Sequence, residues 1–455
     1  MLPDYDVMVI GGGYLGRYAA AIASRWGRCA LWESDSASYL SPPAIYQQLL
    51  MYRQFQNWHN DPTRPDLHQF DQVLAYALTI NQYALRPYSL DVLASLGVEV
   101  LQGEGELRQH RGSLYVDRGN RSLRAKYYLL AIAPQAGLPA IAGLDVLDYL
   151  TPSQVDAATP LAKHWTVLGN LWQSLEWGQF LRRFGVQVTL ITDRKRLWPD
   201  PEISRSLQGQ LEAEGIEVLV ASPVDMVKKI DGQPWLQAGD HALETDQILI
   251  CPEYLGDVLP VNLSEAGIIW QDGYIVSNAF GQTSNPQVYV CRDRLGNYRA
   301  NHVGEYQAQI ALHNLSHRRQ RPRQDKYLPK VLATYPPLAQ VGSPQPRSTR
   351  LTSSTFGSAI ALTTGVDTGL CQLWVAPNAE ILGGVCLGPQ AAETIAQLAL
   401  AIQSGLSIQA IARYPSRHPS LAQVCQQAAR QWSDDRSPWL KLQAKLAALG
   451  RTLID

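Results

Sequence analysis

Cysteine is scarce in this chain and poorly placed for redox chemistry. The 455 residues include six, Cys29, Cys251, Cys291, Cys371, Cys386 and Cys425, and no two form a C-x-x-C. That excludes a disulfide framework and points to a reducing, cytoplasmic compartment, with most of the six serving as small buried apolar residues. Neither sign of charge is in excess: 39 Lys and Arg stand against 40 Asp and Glu. The chain therefore has no electrostatic footprint for nucleic acid or an anionic membrane. No apolar run approaches the length of a membrane span. A strand pattern begins within a few residues of Met1, which leaves no room for a signal peptide. The composition, 46% hydrophobic and 17% charged, is that of an ordinary globular protein of about two to four domains.

What the chain does have is a strong opening. Asp6 to Ile10 is an apolar run suited to a buried parallel strand. It leads into Gly11-Gly12-Gly13-Tyr14-Leu15-Gly16, a G-x-G-x-x-G turn. Leu15, Tyr18, Ala19, Ile22 and Trp26 recur at helical spacing, Gly27 stops the helix, and Cys29 to Trp32 forms a second strand ending on Glu33. Gly11 permits the tight turn, Gly13 lets a pyrophosphate approach the backbone, and Gly16 lets helix and strand pack closely. The helix start offers unpaired N–H groups to phosphates. Glu33, 22 residues after Gly11, is placed to accept hydrogen bonds from a ribose.

Further along, Ala44 to Phe55 and Phe70 to Leu96 read as helices, the second stopped by Gly97. Val98–Leu101, Ser113–Val116 opposed to Ser122–Ala125, and Tyr127–Ala133 read as strands. A second unit repeats the first weakly: strand Trp165–Gly169, helix Gln173–Phe184, strand Val186–Thr192, helix Ile203–Glu214, strands Ile216–Val220 and Gln247–Cys251. Val288–Cys291 is a strand and Val303–Leu315 a helix. The basic run Arg318, Arg319, Arg321 and Arg323 reads as a solvated linker. From Tyr327 the texture changes to antiparallel strands, Leu370–Ala376 and Ile381–Leu387, and helices, Ala391–Ser404 and Ser420–Trp432.

This order of parts resembles the pyridine nucleotide–disulfide oxidoreductases, the family of glutathione reductase, dihydrolipoamide dehydrogenase and mercuric reductase. The matching residues are Gly11 to Glu33, Gly143 to Asp145, Pro201 to Arg205, Tyr289 to Asp293, Tyr335 to Gly342, Ile381 to Gly384 and His418 to Ser420. The resemblance implies an α/β fold of two Rossmann-like domains, the second inserted in the first, with a C-terminal α+β dimerisation domain. The boundaries are 1–150 and 266–325 for FAD binding, 151–265 for a degenerate NAD(P)-binding-like domain and 326–436 for dimerisation, with 437–455 an amphipathic tail helix. It implies FAD held by Gly11, Gly13, Tyr14, Leu15, Gly16, Glu33 and Ser34. Ala133 lies in the crossing motif, Asp293 faces the ribityl chain, and His302 and Val303 sit at a helix start near flavin O2.

The chemistry departs from the family in three places. Family members carry two cysteines just after the equivalent of Glu33. Here Ser36 and Ser41 have that spacing, and a hydroxyl forms no disulfide. The lysine near flavin N5 is missing, which leaves its glutamate partner, matched by Glu176, without a mate. The second glycine motif has become Gly169-Asn170-Leu171-Trp172-Gln173-Ser174. Leu171 adds a side chain where a pyrophosphate needs bare backbone, and Thr192 replaces the ribose acid. Arg194, Lys195 and Arg196 fit either a 2′-phosphate or a solvated loop. Trp172 is placed to cover the nicotinamide face of the flavin. At the C-terminus His418 remains, but Gln423 stands where the family has the glutamate of its acid–base pair, leaving His418 either a weaker base or structural.

The expectation is thus an FAD flavoprotein that moves electrons without a redox disulfide, with weak or lost NAD(P)H binding. The alternative is a non-catalytic flavoprotein, a sensor or scaffold. Glu176 and His418 are the catalytic candidates, no metal is expected, and the electron donor and acceptor are unidentified. The partner expected is a second copy of the chain. In the tail, Trp439, Leu442, Leu446 and Leu449 fall on one helical stripe between Ser437-Pro438 and Gly450. That stripe either packs on the dimer domain or docks to a partner protein or membrane surface.

Overall fold

The computed structural model describes residues 2–33, 45, 66, 68–103, 105–110, 112–118, 121–258, 262–296, 298–317, 319–354, 359, 369–416 and 418–434. The expected helix from Ala44 to Phe55, the loop holding Ser34, Ser36 and Ser41, and the tail helix lie outside the described residues. The chain divides into two compact units, one from residues up to 195 together with 215–325, the other from 196–214 together with 326 onward.

In the first unit, β1 (Tyr5–Ile10) lies between two parallel partners, β2 (Cys29–Glu33) and β7 (Ala125–Gly137), with β3 (Val98–Gln102) beyond β2. Strand alternation explains why the run is apolar throughout. Val7 and Val9 face one core with helices α1 (Gly13–Ala23) and α6 (Asn301–Ser316), whereas Met8 and Ile10 face another. That second core is closed by a small antiparallel sheet, β4 (Glu106–His110), β5 (Ser113–Arg118) and β6 (Arg121–Leu123), through Leu107, Leu114, Val116 and Leu123. β7 also pairs in parallel with β18 (Val288–Arg292), and its far end pairs antiparallel with β15 (Glu253–Val258).

The single helix expected over Phe70–Leu96 is broken. α2 covers Phe70–Leu85, a 3-10 turn covers Arg86–Tyr88, and α3 covers Leu90–Ser95. Pro87 has no N–H to continue the ladder, and Ser89 starts the next helix by accepting the Val92 N–H at 3.4 Å.

The repeat predicted for the middle of the chain is present as a four-stranded parallel sheet in the order β10-β9-β8-β14. Its strands are β8 (His164–Gly169), β9 (Gln187–Ile191), β10 (Ile216–Leu219) and β14 (Gln247–Cys251), with α4 (Leu171–Arg183) after β8. One antiparallel sheet was not anticipated: β11 (Val224–Ile230), β12 (Gln233–Ala238) and β13 (His241–Glu244). Its first turn is Asp231-Gly232, both with positive φ (51° and 90°), a two-residue hairpin connection legible from the dipeptide. Two short hairpins complete the unit, β16 (Trp270–Gln271) with β17 (Tyr274–Ile275) and β19 (Arg294–Leu295) with β20 (Tyr298–Arg299).

The second unit holds α5 (Pro201–Ala213) and a five-stranded antiparallel sheet in the order β21-β22-β25-β24-β23. The ranges are β21 Lys330–Leu332, β22 Leu338–Gly342, β23 Thr349–Ser354, β24 Leu370–Val375 and β25 Ile381–Leu387. Helices α7 (Ala391–Gln403), α8 (Ile408–Arg413) and α9 (Leu421–Asp434) contribute to its core through Ile395, Leu398, Ile408, Ala428 and Trp432. The cysteines are less scattered than the sequence suggests. Cys371 and Cys386 are directly opposed across β24 and β25 with sulfurs 3.3 Å apart, and Cys425 joins the same core from α9. All six are free and buried.

Candidate functional site

The glycine turn is dictated by how tightly α1 sits on the sheet. A Cβ on Gly11 would lie 2.1 Å from the Ala131 carbonyl oxygen, and one on Gly16 would lie 2.1 Å from the Gly11 carbonyl oxygen. No side chain fits either gap. The helix starts at Gly13 with Gly12 as N-cap and no side-chain cap, and its first-turn N–H groups have no partner within the helix. The Gly13 N–H reaches Glu33 Oε1 at 3.4 Å.

Glu33 is buried at the end of β2 and does not stand alone. Arg17, one residue past the glycine motif, grips it from both sides: Nε to Oε1 at 2.8 Å and Nη2 to Oε2 at 3.1 Å. Sequence reasoning passed over Arg17. The signal was a cation one turn into a helix whose start faces an acid at the neighbouring strand end. A carboxylate has about four acceptor positions, so the pair leaves Glu33 with capacity for a further donor.

Tyr14 and Leu15 tie this half to α6. The Tyr14 hydroxyl donates to Glu305, and its ring meets Tyr88 edge-on at 5.4 Å. Burial and the Glu305 carboxylate together raise the Tyr14 pKa. Leu15 is buried against Gly304, where a Cβ would come within 2.9 Å of its methyl group. Ala131 lies under Gly11, and the side chain of Ala133 lies outside the described residues.

Asp293 follows β18 and is flanked by two arginines that share one buried partner. Arg292 Nη2 lies 2.7 Å from Asp257 Oδ2, and Arg294 Nη2 lies 3.3 Å from Asp257 Oδ1. Burial pushes Asp257 up, but its hydrogen bonds and the Arg292 charge outweigh this and hold it below the ordinary carboxylate range. Asp293 itself accepts from Arg299 Nε at 2.8 Å through Oδ2, while its Oδ1 is buried with no hydrogen-bond partner among the described residues. α6 then begins at Asn301 behind Ala300, again without a side-chain cap. His302 is exposed at this start and Val303 is fully buried.

These features fit an FAD molecule. An orphaned acceptor at Asp293 suits a ribityl hydroxyl, Glu33 suits a ribose, and the open start of α1 over bare glycine backbone suits a pyrophosphate.

The second glycine motif behaves differently. Gly169 is kept because a Cβ there would lie 2.1 Å from the Cys251 carbonyl oxygen, the same packing constraint as at Gly11. The remainder differs. The Asn170 side chain caps α4 by accepting the Trp172 N–H at 3.1 Å, and Ser174 is buried where a glycine would sit. Trp172 packs on Tyr298 with ring centroids 5.0 Å apart, and Tyr298 in turn lies 6.2 Å from His302. Gln173 donates to Tyr254 at 3.0 Å, and Tyr254 is hydrogen-bonded to Arg299. The two nucleotide-like halves are therefore joined by an aromatic row and by the chain Gln173–Tyr254–Arg299–Asp293.

Glu176 lies one turn beyond Trp172 on the same face of α4, half-buried beside Cys251. Burial, and secondarily the Glu176 charge, push the Cys251 thiol up to about 12. His418 belongs to the second unit, where it is exposed with Nδ1 2.8 Å from Gln423 Oε1. Among the described residues no cluster of His, Cys, Asp or Glu suits a metal, and no helix is long and apolar enough to cross a membrane.

The sequence model of the pyridine nucleotide-disulphide oxidoreductases matches residues 5–311, and that of the family's dimerisation domain matches residues 328–429. The chain belongs to this family. A mercuric reductase of Lysinibacillus sphaericus is 25% identical over 362 residues, covering 76% of this chain and 66% of that protein. A dihydrolipoyl dehydrogenase of Chlamydia pneumoniae is 23% identical over 455 residues, 94% of this chain and 97% of that protein. The matched segment therefore spans a little under two thirds of the mercuric reductase but nearly all of the dehydrogenase. In fold, the chain is similar to the Cu(II) complex of the HOCl-induced flavoprotein disulfide reductase RclA of Escherichia coli. The TM-score is 0.78 at 19% identity, over 95% of this chain and 100% of that one.

Proposed function

We propose that this protein is a flavoprotein oxidoreductase that binds FAD in its first nucleotide unit, moves electrons without a redox disulfide, and binds NAD(P)H weakly or not at all. The contrast between helix starts carries the reading. α1 and α6 begin uncapped, whereas α4 is capped by Asn170 and followed by Leu171. In this reading residues 1–150 and 266–325 hold FAD, 151–265 form the degenerate nucleotide domain, and 326–436 join two copies as a homodimer.

Bound FAD supplies a ring that accepts and releases electrons. The chain's own contribution is to hold the cofactor through the Gly11–Gly16 turn, Glu33 and Asp293, and to present the start of α6 to negative charge. Trp172, packed on Tyr298, keeps a nicotinamide away, and Glu176 holds a carboxylate on the same helix face. The closed second site also favours a second reading, in which FAD is a structural element of a sensor or scaffold.

An anaerobic titration of the purified protein with NADH, then NADPH, followed at the flavin band, tests this. One FAD per chain, little bleaching by either nucleotide, and bleaching by an alternative donor with reoxidation by a quinone or metal acceptor are expected. Rapid bleaching by micromolar NAD(P)H overturns the second-site part, and a flavin that stays oxidised with every donor supports the structural role.

A further inference from the structure

The C-terminal unit contains a cleft of about 250 Å³ between the end of α8 and the outer face of α9, lined among others by Arg413, Ser416, Gln423, Gln426, Gln427 and Arg430. We propose that this cleft binds a small oxyanion, a compound bearing carboxylate or phosphate groups.

Three observations on the lining converge on that class. First, among the described residues those bordering the cleft include two guanidinium groups and no carboxylate. Among the described residues neither Arg413 nor Arg430 forms an ion pair, and Arg430 is steadied by donating from Nε to the Ala412 carbonyl at 3.4 Å. Second, the acceptor oxygen of every glutamine in the lining is already engaged. Gln423 Oε1 lies 2.8 Å from His418 Nδ1. Gln426 Oε1 accepts from Ser416 at 2.8 Å, and Gln427 Oε1 accepts from Ser353 at 3.3 Å. The amide NH2 groups of Gln423 and Gln427 and the two guanidiniums remain among the described residues, so the cleft offers donors and positive charge. Such a surface discriminates for oxyanions by hydrogen bonding as well as by charge.

Third, the cleft is built. Gln426 is only 8% exposed and spends its amide on the chain, donating to the carbonyls of Ala412 and Tyr414 while accepting from Ser416. One buried side chain of α9 thus fixes the segment after α8 that forms the wall. Preorganised donors of this kind lower the ordering cost of binding.

The test uses the full-length protein with inorganic phosphate and citrate as probes, each against sodium chloride at matched ionic strength, by calorimetry and thermal shift. Saturable binding of at least one probe, with a raised melting temperature, is expected. In Arg413→Ala and Arg430→Ala binding should weaken by at least about tenfold, as expected for losing a charge-assisted contact. Gln423→Glu, which keeps the side-chain shape but faces the anion with a carboxylate, should abolish it. A response that is the same for chloride and both probes, or that survives Arg413→Ala/Arg430→Ala, overturns the proposal. So does dissociation of a dimer by that double variant without any probe effect on the wild type, since the cleft is then a contact between subunits.

Discussion

The side-chain oxygen of Asn170 takes the backbone N–H of Trp172 at the first turn of α4, the turn on which a nicotinamide nucleotide's pyrophosphate would have to rest. The corresponding turn of α1 has glycine at every critical position and no such plug. Removing Leu171 alone leaves the cap in place. The expected order of NADPH affinity is therefore wild type below Leu171→Gly/Ser174→Gly, and both below the triple variant that adds Asn170→Gly. The last step should be worth about tenfold, and fluorescence titration reads it. Glycine is tolerated at an N-cap at a cost of only a few tenths of a kcal/mol, so the triple variant should fold.

Arg17 and Glu33 form a largely buried pair gripped through two nitrogens. Among the described residues Arg17→Ala leaves a buried carboxylate with one weak backbone donor, a loss of roughly 3–5 kcal/mol by comparison with other broken buried pairs. Arg17→Lys should rescue little, because an ammonium cannot reproduce the two-nitrogen grip. Thermal melts of the two variants check this. Equal stability of wild type and Arg17→Ala would place the pair among ornamental surface contacts.

Asp293 Oδ1 is a buried acceptor with nothing donating to it among the described residues, which suits it to a hydroxyl of FAD. Asp293→Leu should purify with less than half the flavin of wild type, as should Gly13→Val, which puts a side chain at a turn with φ +73°. Asp293→Asn, which retains an acceptor, should lose less. Absorbance at the flavin band per chain is the measurement, and full flavin in Gly13→Val would contradict the assignment of the first site.

Asp257 makes acid stability predictable. Its side chain is 1% exposed and held between Arg292 and Arg294. Its folded pKa lies below that of the unfolded chain, so the stability it contributes is fully present above the ordinary aspartate pKa of about 3.9. It is lost as pH falls through the lower folded value. Asp257→Asn should cost roughly 3–5 kcal/mol at neutral pH by leaving two arginines unpaired, and its deficit relative to wild type should shrink below about pH 4. Melting temperature against pH for both proteins tests the sign.

How much of this was legible beforehand depends on the range of the interaction. β1, the glycine turn and the acid at the end of β2 are local, and their apolar run and glycine spacing announce them. Asp231-Gly232 is a hairpin signal in the sequence, and Pro87 a break signal that the 3.6-residue periodicity on either side conceals. Arg17–Glu33 is separated by sixteen residues, Arg292–Asp257 by thirty-five and Tyr14–Glu305 by 291. Arg17 is marked by its place one turn into the helix that faces Glu33, but nothing in the spacing of the two longer-range pairs marks them, since only the sheet order brings their ends together. The Asn170 cap was readable in principle, as asparagine before a helix is a standard N-cap. Leu171 and the lost glycines, by contrast, bear on the same turn without revealing that cap.

The buried thiols are expected to be unreactive. A disulfide reductase needs a thiolate within reach of substrate. Here the stretch after Glu33 carries serines, and the six cysteines are elsewhere in the chain and buried. Burial raises Cys29, Cys251 and Cys291 to about 12, which leaves roughly one molecule in 10⁵ as thiolate at neutral pH for each. Cys371 and Cys425 are raised well above the ordinary thiol range too, chiefly by hydrogen bonding within the sulfur cluster that includes Cys386 and then by burial. The native protein should therefore react with none of a thiol-specific chromogenic reagent in minutes and with six equivalents after denaturation. It should show no turnover with lipoamide, oxidised glutathione or oxidised thioredoxin. Prompt labelling of a native cysteine, accompanied by loss of flavin reduction, would mean that one of these sulfurs reaches the surface and that electrons leave the protein through it.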